Sequence, residues 1–251
     1  MAEILEPLIT SDTLKLHLDP EQEHFAPLLD ETRKVASEIE KFHKASGLNT
    51  KIRHFPHILM LEDTEFNRVV ESHGVTDLGM HLAFHNVNSN YVVLPYGITE
   101  QKDLERRESI MEELLHGITS EVTIEEDSNV VVRSGLRSIS MQQEENQSFK
   151  RLGDRDPRKI KIGFPEVVEL PDSKITSQDT HPDKLGEYTE VALLIIRTNI
   201  IVRQQSNKKI PQEVYTLYKA LYTGEVPDDI DSLMHQCLSD PIIQLKIGRI
   251  K

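Results

Sequence analysis

A chain of 251 residues is long enough for one substantial core, and 37% apolar with 28% charged residues is the composition of an ordinary globular protein. The formal net charge of −13 leaves no basic surface that would release counterions from a phosphate backbone, so nucleic acid is not an expected partner. A single cysteine, Cys237, excludes both an internal disulfide and a cysteine-rich zinc site.

The opening run Met1-Ala2-Glu3-Ile4-Leu5-Glu6-Pro7 has no basic segment followed by an apolar one, so no secretory signal is expected. From Glu21 to about Ser46 the apolar residues Phe25, Leu28, Leu29, Val35, Ala36, Ile39 and Phe42 recur at three- and four-residue spacing, which predicts an amphipathic helix. Pro27 is tolerated only in a first turn, so the regular part can begin there. Lys51 to Phe55, His57 to Leu61 and Asn90 to Leu94 read as strands, the last stopped by Pro95.

A helix is expected from Thr99 or Glu100 to Gly117, with Ile110, Met111, Leu114 and Leu115 on its apolar side and Gly117 as its stop. Beyond it come a β-rich patch, Asn129 to Arg133, a polar, locally basic stretch from Lys150 to Lys161, read as a solvated loop, and a second polar loop from Pro171 to Asp183. A long helix from about Leu185 carries Val191, Leu193, Leu194, Ile195 and Ile196 and should be buried in its middle. Its apolar stretch, Val191 to Val202, is interrupted by Arg197, Thr198 and Asn199 and is too short to span a bilayer, so a cytoplasmic, non-membrane protein is expected. Pro211 to Leu221 and Pro227 to Leu238 read as further helices.

The chemistry is concentrated in Glu108-Ser109-Ile110-Met111-Glu112-Glu113-Leu114-Leu115-His116-Gly117. On a helix, residues 112 and 116 stand one turn above each other on one face, where both can reach one metal ion, and Glu113 lies beside that face. That is the geometry by which a His-Glu-x-x-His helix offers two ligands and a general base, with Glu112 in place of the first histidine. A carboxylate is a legitimate zinc ligand, but it brings the ion and its ligands near neutrality. Weak zinc binding and slow or absent hydrolysis are therefore expected, and Glu112→His is expected to strengthen both.

Two further segments carry a resemblance. Asn90-Tyr91-Val92-Val93-Leu94-Pro95 reads as an edge strand just before the helix, and Leu185-Gly186-Glu187-Tyr188-Thr189-Glu190 is similar to the Leu-Asn-Glu-Gly-x-Thr-Glu signature of gluzincin-type peptidases. It departs from it at Gly186 and Tyr188 and by one residue fewer before Thr189. With the degenerate Glu-Glu-Leu-Leu-His motif, the chain resembles a zincin-like metallopeptidase. The resemblance implies an α+β fold in which a mixed sheet has an edge strand beside the site helix and a helical C-terminal part follows.

It places a zincin-like domain in residues 1–205, with site helices at 100–117 and 185–205, and a helical extension packed on it in 206–251. It implies a zinc cofactor, a peptide or protein substrate, His116, Glu187 and Glu112 as metal ligands, Glu113 as general base, and Glu190 hydrogen-bonded to a ligand from behind. Arg133-Ser134-Gly135-Leu136 would border the cleft. A second reading, from a different class, is a catalytically inactive scaffold that binds a peptide or partner protein along the edge strand. A third is a carboxylate-bridged di-iron bundle pairing Glu40-x-x-His43 with Glu113-x-x-His116, which the expected strands oppose.

His81 and His85 are read as surface or strand-edge residues, and His54 and His57, flanking Phe55-Pro56, as structural. Cys237 is read as a small buried side chain. No Gly-x-Ser-x-Gly elbow, phosphate loop or Gly-x-Gly-x-x-Gly turn is present, so serine-hydrolase and nucleotide chemistry are not expected.

Overall fold

The computed structural model describes residues 24–48, 52–53, 55–72, 83–86, 90–124, 130–141, 150–151, 168–169, 182–206 and 208–248. Helix α1, Ala26–Ala45, begins with Pro27 in its first turn and buries Leu28, Leu29, Val35, Ala36, Ile39 and Phe42, the stripe that the spacing predicts. The chain then passes Phe55 and Pro56, both buried, without the strand expected over Lys51 to Phe55: residues 52, 53 and 55 are irregular. The Arg53 N–H donates instead to the Tyr222 hydroxyl at 2.9 Å.

Strand β1, His57–Leu61, is followed by helix α2, Asp63–Ser72, and by strands β2, Phe84–Asn86, and β3, Tyr91–Pro95. β3 lies in the middle of a mixed three-stranded sheet, parallel to β1 and antiparallel to β2. The edge strand expected at Asn90 to Pro95 is therefore a central one. Val92, Val93, Leu94 and Pro95 are all buried without alternation, the pattern of a strand covered on both faces. The strands with an open side, among the described residues, are β1 and β2.

A 3-10 turn over Tyr96–Glu100 leads into helix α3, Asp103–Ile118. The helix starts later than expected and runs through Gly117 rather than stopping there. Gly117 serves close packing, because a Cβ at that position would stand 2.5 Å from the Pro56 ring carbons and 3.1 Å from Asn90 Oδ1. Gly117→Val should force α3 away from β1 and β3 and cost about 3 kcal/mol. Denaturant unfolding of the variant checks this, and wild-type stability would show that the contact yields.

Strands β4, Ser120–Ile124, β5, Val130–Ser134, and β6, Arg137–Met141, form an antiparallel meander. β7, Lys150–Arg151, pairs with β8, Val168–Glu169; the remainder of the expected basic loop lies outside the described residues. Most of the expected loop from Pro171 to Asp183 does so as well, and its end already belongs to helix α4, Pro182–Gln205.

Helices α5, Gln212–Thr223, α6, Ile230–Leu238, and α7, Pro241–Gly248, complete the described chain. The last was not expected from the sequence. One hydrophobic cluster joins Leu28 and Ile39 of α1, Leu94 of β3, Leu114 of α3, Leu193 of α4, Leu217 of α5, Met234 of α6 and Ile243 of α7. The C-terminal helices share this core. The architecture is α+β, seven α-helices with small sheets among the described residues. No described helix is long and apolar enough to cross a membrane.

Candidate metal centre

α3 is held on one flank by ion pairs to α1, Arg106 with Glu31 and Arg107 with Glu38. Its opposite flank faces α4 and α7. Burial of Ile110, Met111, Leu114, Leu115 and Ile118 sets the rotation of the helix, and Glu108, Glu112 and His116, one turn apart, follow as a polar row. Glu112 pairs with Arg197 of α4. Glu108 accepts from Lys246 of α7, with Nζ 2.6 Å from Oε1. His116 Nε2 stands 3.5 Å from Glu190 Oε2 of α4.

Glu112, His116 and Glu190 each place a ligand atom within 4.8 Å of the others, and they are the one such cluster of metal-ligating side chains among the described residues. Two carboxylates and an imidazole are the oxygen and nitrogen donors that zinc and similar divalent cations accept. A Glu-His-Glu group able to hold a metal ion thus stands where α3 meets α4.

Two of the expected ligands, Glu112 and His116, belong to this group. The third, Glu187, does not: both α4 carboxylates are exposed, and Glu190 is the one whose oxygen reaches His116. Glu190 was expected only to support a ligand. The reason lies in helix geometry, since three residues along α4 turn a side chain to about 60° short of a full turn, and Glu190, though still exposed, comes to the rim beside His116. Thr189, between them, is buried; its hydroxyl donates to Leu185 O at 2.9 Å and accepts the Leu136 N–H at 3.1 Å, tying α4 to the β5–β6 turn. Arg133, expected to border the cleft, is a staple instead: its guanidinium donates to the carbonyls of Thr119, Gly135, Leu221 and Tyr222.

Glu113 points toward β2, where its carboxylate accepts the His85 backbone N–H. Burial raises its pKa above the ordinary carboxylate value, as does the negative charge of Glu190, against the opposing influence of His116 and that N–H. For His116, burial alone lowers the pKa, but the hydrogen bond to Glu190 and the charges of Glu113 and Glu190 outweigh it and carry the imidazole above its usual value. The Glu190 carboxyl is correspondingly held low, chiefly by its hydrogen bond to His116.

His85 belongs to this neighbourhood although the sequence marks it only as a strand-edge residue. Its ring lies parallel to that of His116, with centroids 6.1 Å apart and planes 10° from each other. Nε2 donates to Asn90 Oδ1 at 3.0 Å, and burial pushes the ring pKa down to about 4, so it is neutral at physiological pH. Arg197 is the other missed residue; the one sequence signal for it is a cation inside the apolar run of α4. His81 and His54 lie outside the described residues. His43 of the Glu40-x-x-His43 pair is buried against the Tyr218 hydroxyl, 2.9 Å from Nδ1, and does not join the cluster.

Comparison of the chain with protein-family models, with curated proteins and with solved structures finds no match.

Proposed function

We propose that the chain is a zincin-like, zinc-dependent hydrolase of peptide bonds, with His116, Glu190 and Glu112 as metal ligands and Glu113 as general base. The observation that supports it most is the convergence of those three donors beside a carboxyl whose pKa burial raises. A bound zinc ion supplies Lewis acidity toward water and a carbonyl oxygen. Glu113 is the group that takes a proton from the attacking water, and a raised pKa brings it nearer the operating pH, where a general base is most effective. Its acceptance of the His85 N–H fixes the carboxylate toward β2. An extended peptide adding to the open side of β2 would pass beside it.

His116 must give up its proton to bind a cation, so zinc binding releases a proton and strengthens as pH rises through the imidazole pKa. Calorimetric titration of purified protein should show one zinc per chain, with affinity falling at least about 100-fold in His116→Ala and substantially in Glu190→Gln. Wild-type affinity equal to that of His116→Ala would sink the assignment.

The second reading is a non-catalytic scaffold. It is favoured by the Arg197–Glu112 pair, which satisfies that carboxylate without a metal. Absence of zinc binding in the same titration would leave this reading standing.

A further inference from the structure

Three cation–carboxylate pairs climb the outer row of α3: Lys246 with Glu108, Arg197 with Glu112, and His116 with Glu190. The middle one is the unusual one. Arg197 sits in the most apolar part of α4, with Leu193, Ile196, Ile200 and Ile201 buried around it in sequence, and its own side chain is only 14% exposed. Its Nε is buried and has no hydrogen-bond partner. A guanidinium cannot be discharged by losing a proton, so placing it there is costly unless a carboxylate meets it. Glu108, already held by Lys246, lends Arg197 the support of its charge against that burial. Glu112 is the carboxylate that pairs with Arg197, and it is also one of the three converging donors.

We propose that Arg197 is the built-in counter-ion of this site, a positioning residue that holds Glu112 beside His116 and Glu190 and competes with an incoming divalent cation for that carboxylate. The inference rests on the metal-site reading above and adds how occupancy is set. With Arg197 in place, a cation entering the site meets one fixed positive charge and a carboxylate already engaged. With Arg197 made neutral, the same donors carry one more net negative charge and Glu112 lacks a partner that only the cation can supply. The charge that keeps the metal-free protein stable therefore weakens its affinity for metal.

The test is an equilibrium zinc titration, by competition with a chromophoric chelator, of wild type, Arg197→Met and Arg197→Lys, each also in a His116→Ala background. Arg197→Met should bind zinc at least about tenfold more tightly than wild type, because one unit of positive charge a few ångströms from a divalent ion has been removed. Arg197→Lys, which keeps the charge, should remain close to wild type, and His116→Ala should abolish the gain. Arg197→Gln provides the same reading if the methionine variant does not fold by circular dichroism. Equal or weaker zinc binding by the neutral variants, with wild-type binding intact, overturns the counter-ion role and leaves the metal site standing. A gain of the same size in Arg197→Lys also overturns it. Zinc bound by neither wild type nor the neutral variants overturns the metal reading itself.

Discussion

Glu113→Gln should leave the zinc stoichiometry unchanged and lower the rate of peptide hydrolysis by about 10²–10⁴, the usual cost of losing a general base. Glutamine keeps the size of the side chain and can still accept the His85 N–H, so the packing of α3 against β2 is preserved. The two forms should also differ in stability in a direction fixed by the raised pKa. A carboxyl whose folded pKa lies above its unfolded value contributes stability at low pH and loses it as pH rises through the folded value. Glutamine carries no such penalty. The metal-free variant should therefore become progressively more stable than wild type as pH rises from the ordinary glutamate pKa through the raised folded one. Peptide cleavage by zinc-loaded protein, with thermal unfolding of the metal-free forms across that range, reads both effects. Unchanged hydrolysis would remove Glu113 from the role of base, and loss of zinc would make it a ligand.

Glu112→His is the second large effect. From the motif alone, restoring the histidine should strengthen zinc binding and raise activity. The Arg197 pair changes that expectation, since the substitution leaves a guanidinium that is 14% exposed with only the charge of Glu108, itself held by Lys246, and places an imidazole against it. Breaking one member of a buried pair typically costs ~3–5 kcal/mol. Glu112 is 32% exposed, so about 2 kcal/mol is the expected loss. The gain in zinc affinity should emerge only in Glu112→His combined with Arg197→Met, which should also recover most of the lost stability. A double-mutant cycle on unfolding free energy and on zinc affinity measures the coupling. Additive effects in both would show that residues 112 and 197 act independently. A single Glu112→His variant with full stability and tight zinc binding would restore the simpler view of position 112 as an isolated departure.

Arg197 also explains why the missing histidine need not make the site more acidic than its neighbours tolerate. The extra carboxylate of Glu112 is matched by a cation delivered from α4, 85 positions further along the chain. Glu112 looks like an ordinary helix-surface residue when inspected alone, and Arg197 shows only as a cation inside an apolar run. Together they form one unit of the interface between α3 and α4.

What the sequence determined by itself is whatever a single element decides. The apolar spacing in α1, α3 and α5 specifies helices and their buried faces, and the same period puts Glu112 and His116 on one side of α3 with Glu113 adjacent. The lone cysteine excludes an internal disulfide for a reason that requires no fold. The tertiary structure decided everything that depends on one element meeting another. β3 became central because β2, only three residues long, packs along its other side, and such a short strand gives almost no periodic signal. Gly117 turned from a helix stop into a packing contact because Pro56 comes within reach of it. Glu190 rather than Glu187 faces His116 because the rotation of α4 is set by burying Ala192, Leu193, Ile195 and Ile196 in the core, and the position of every polar side chain on that helix follows from it.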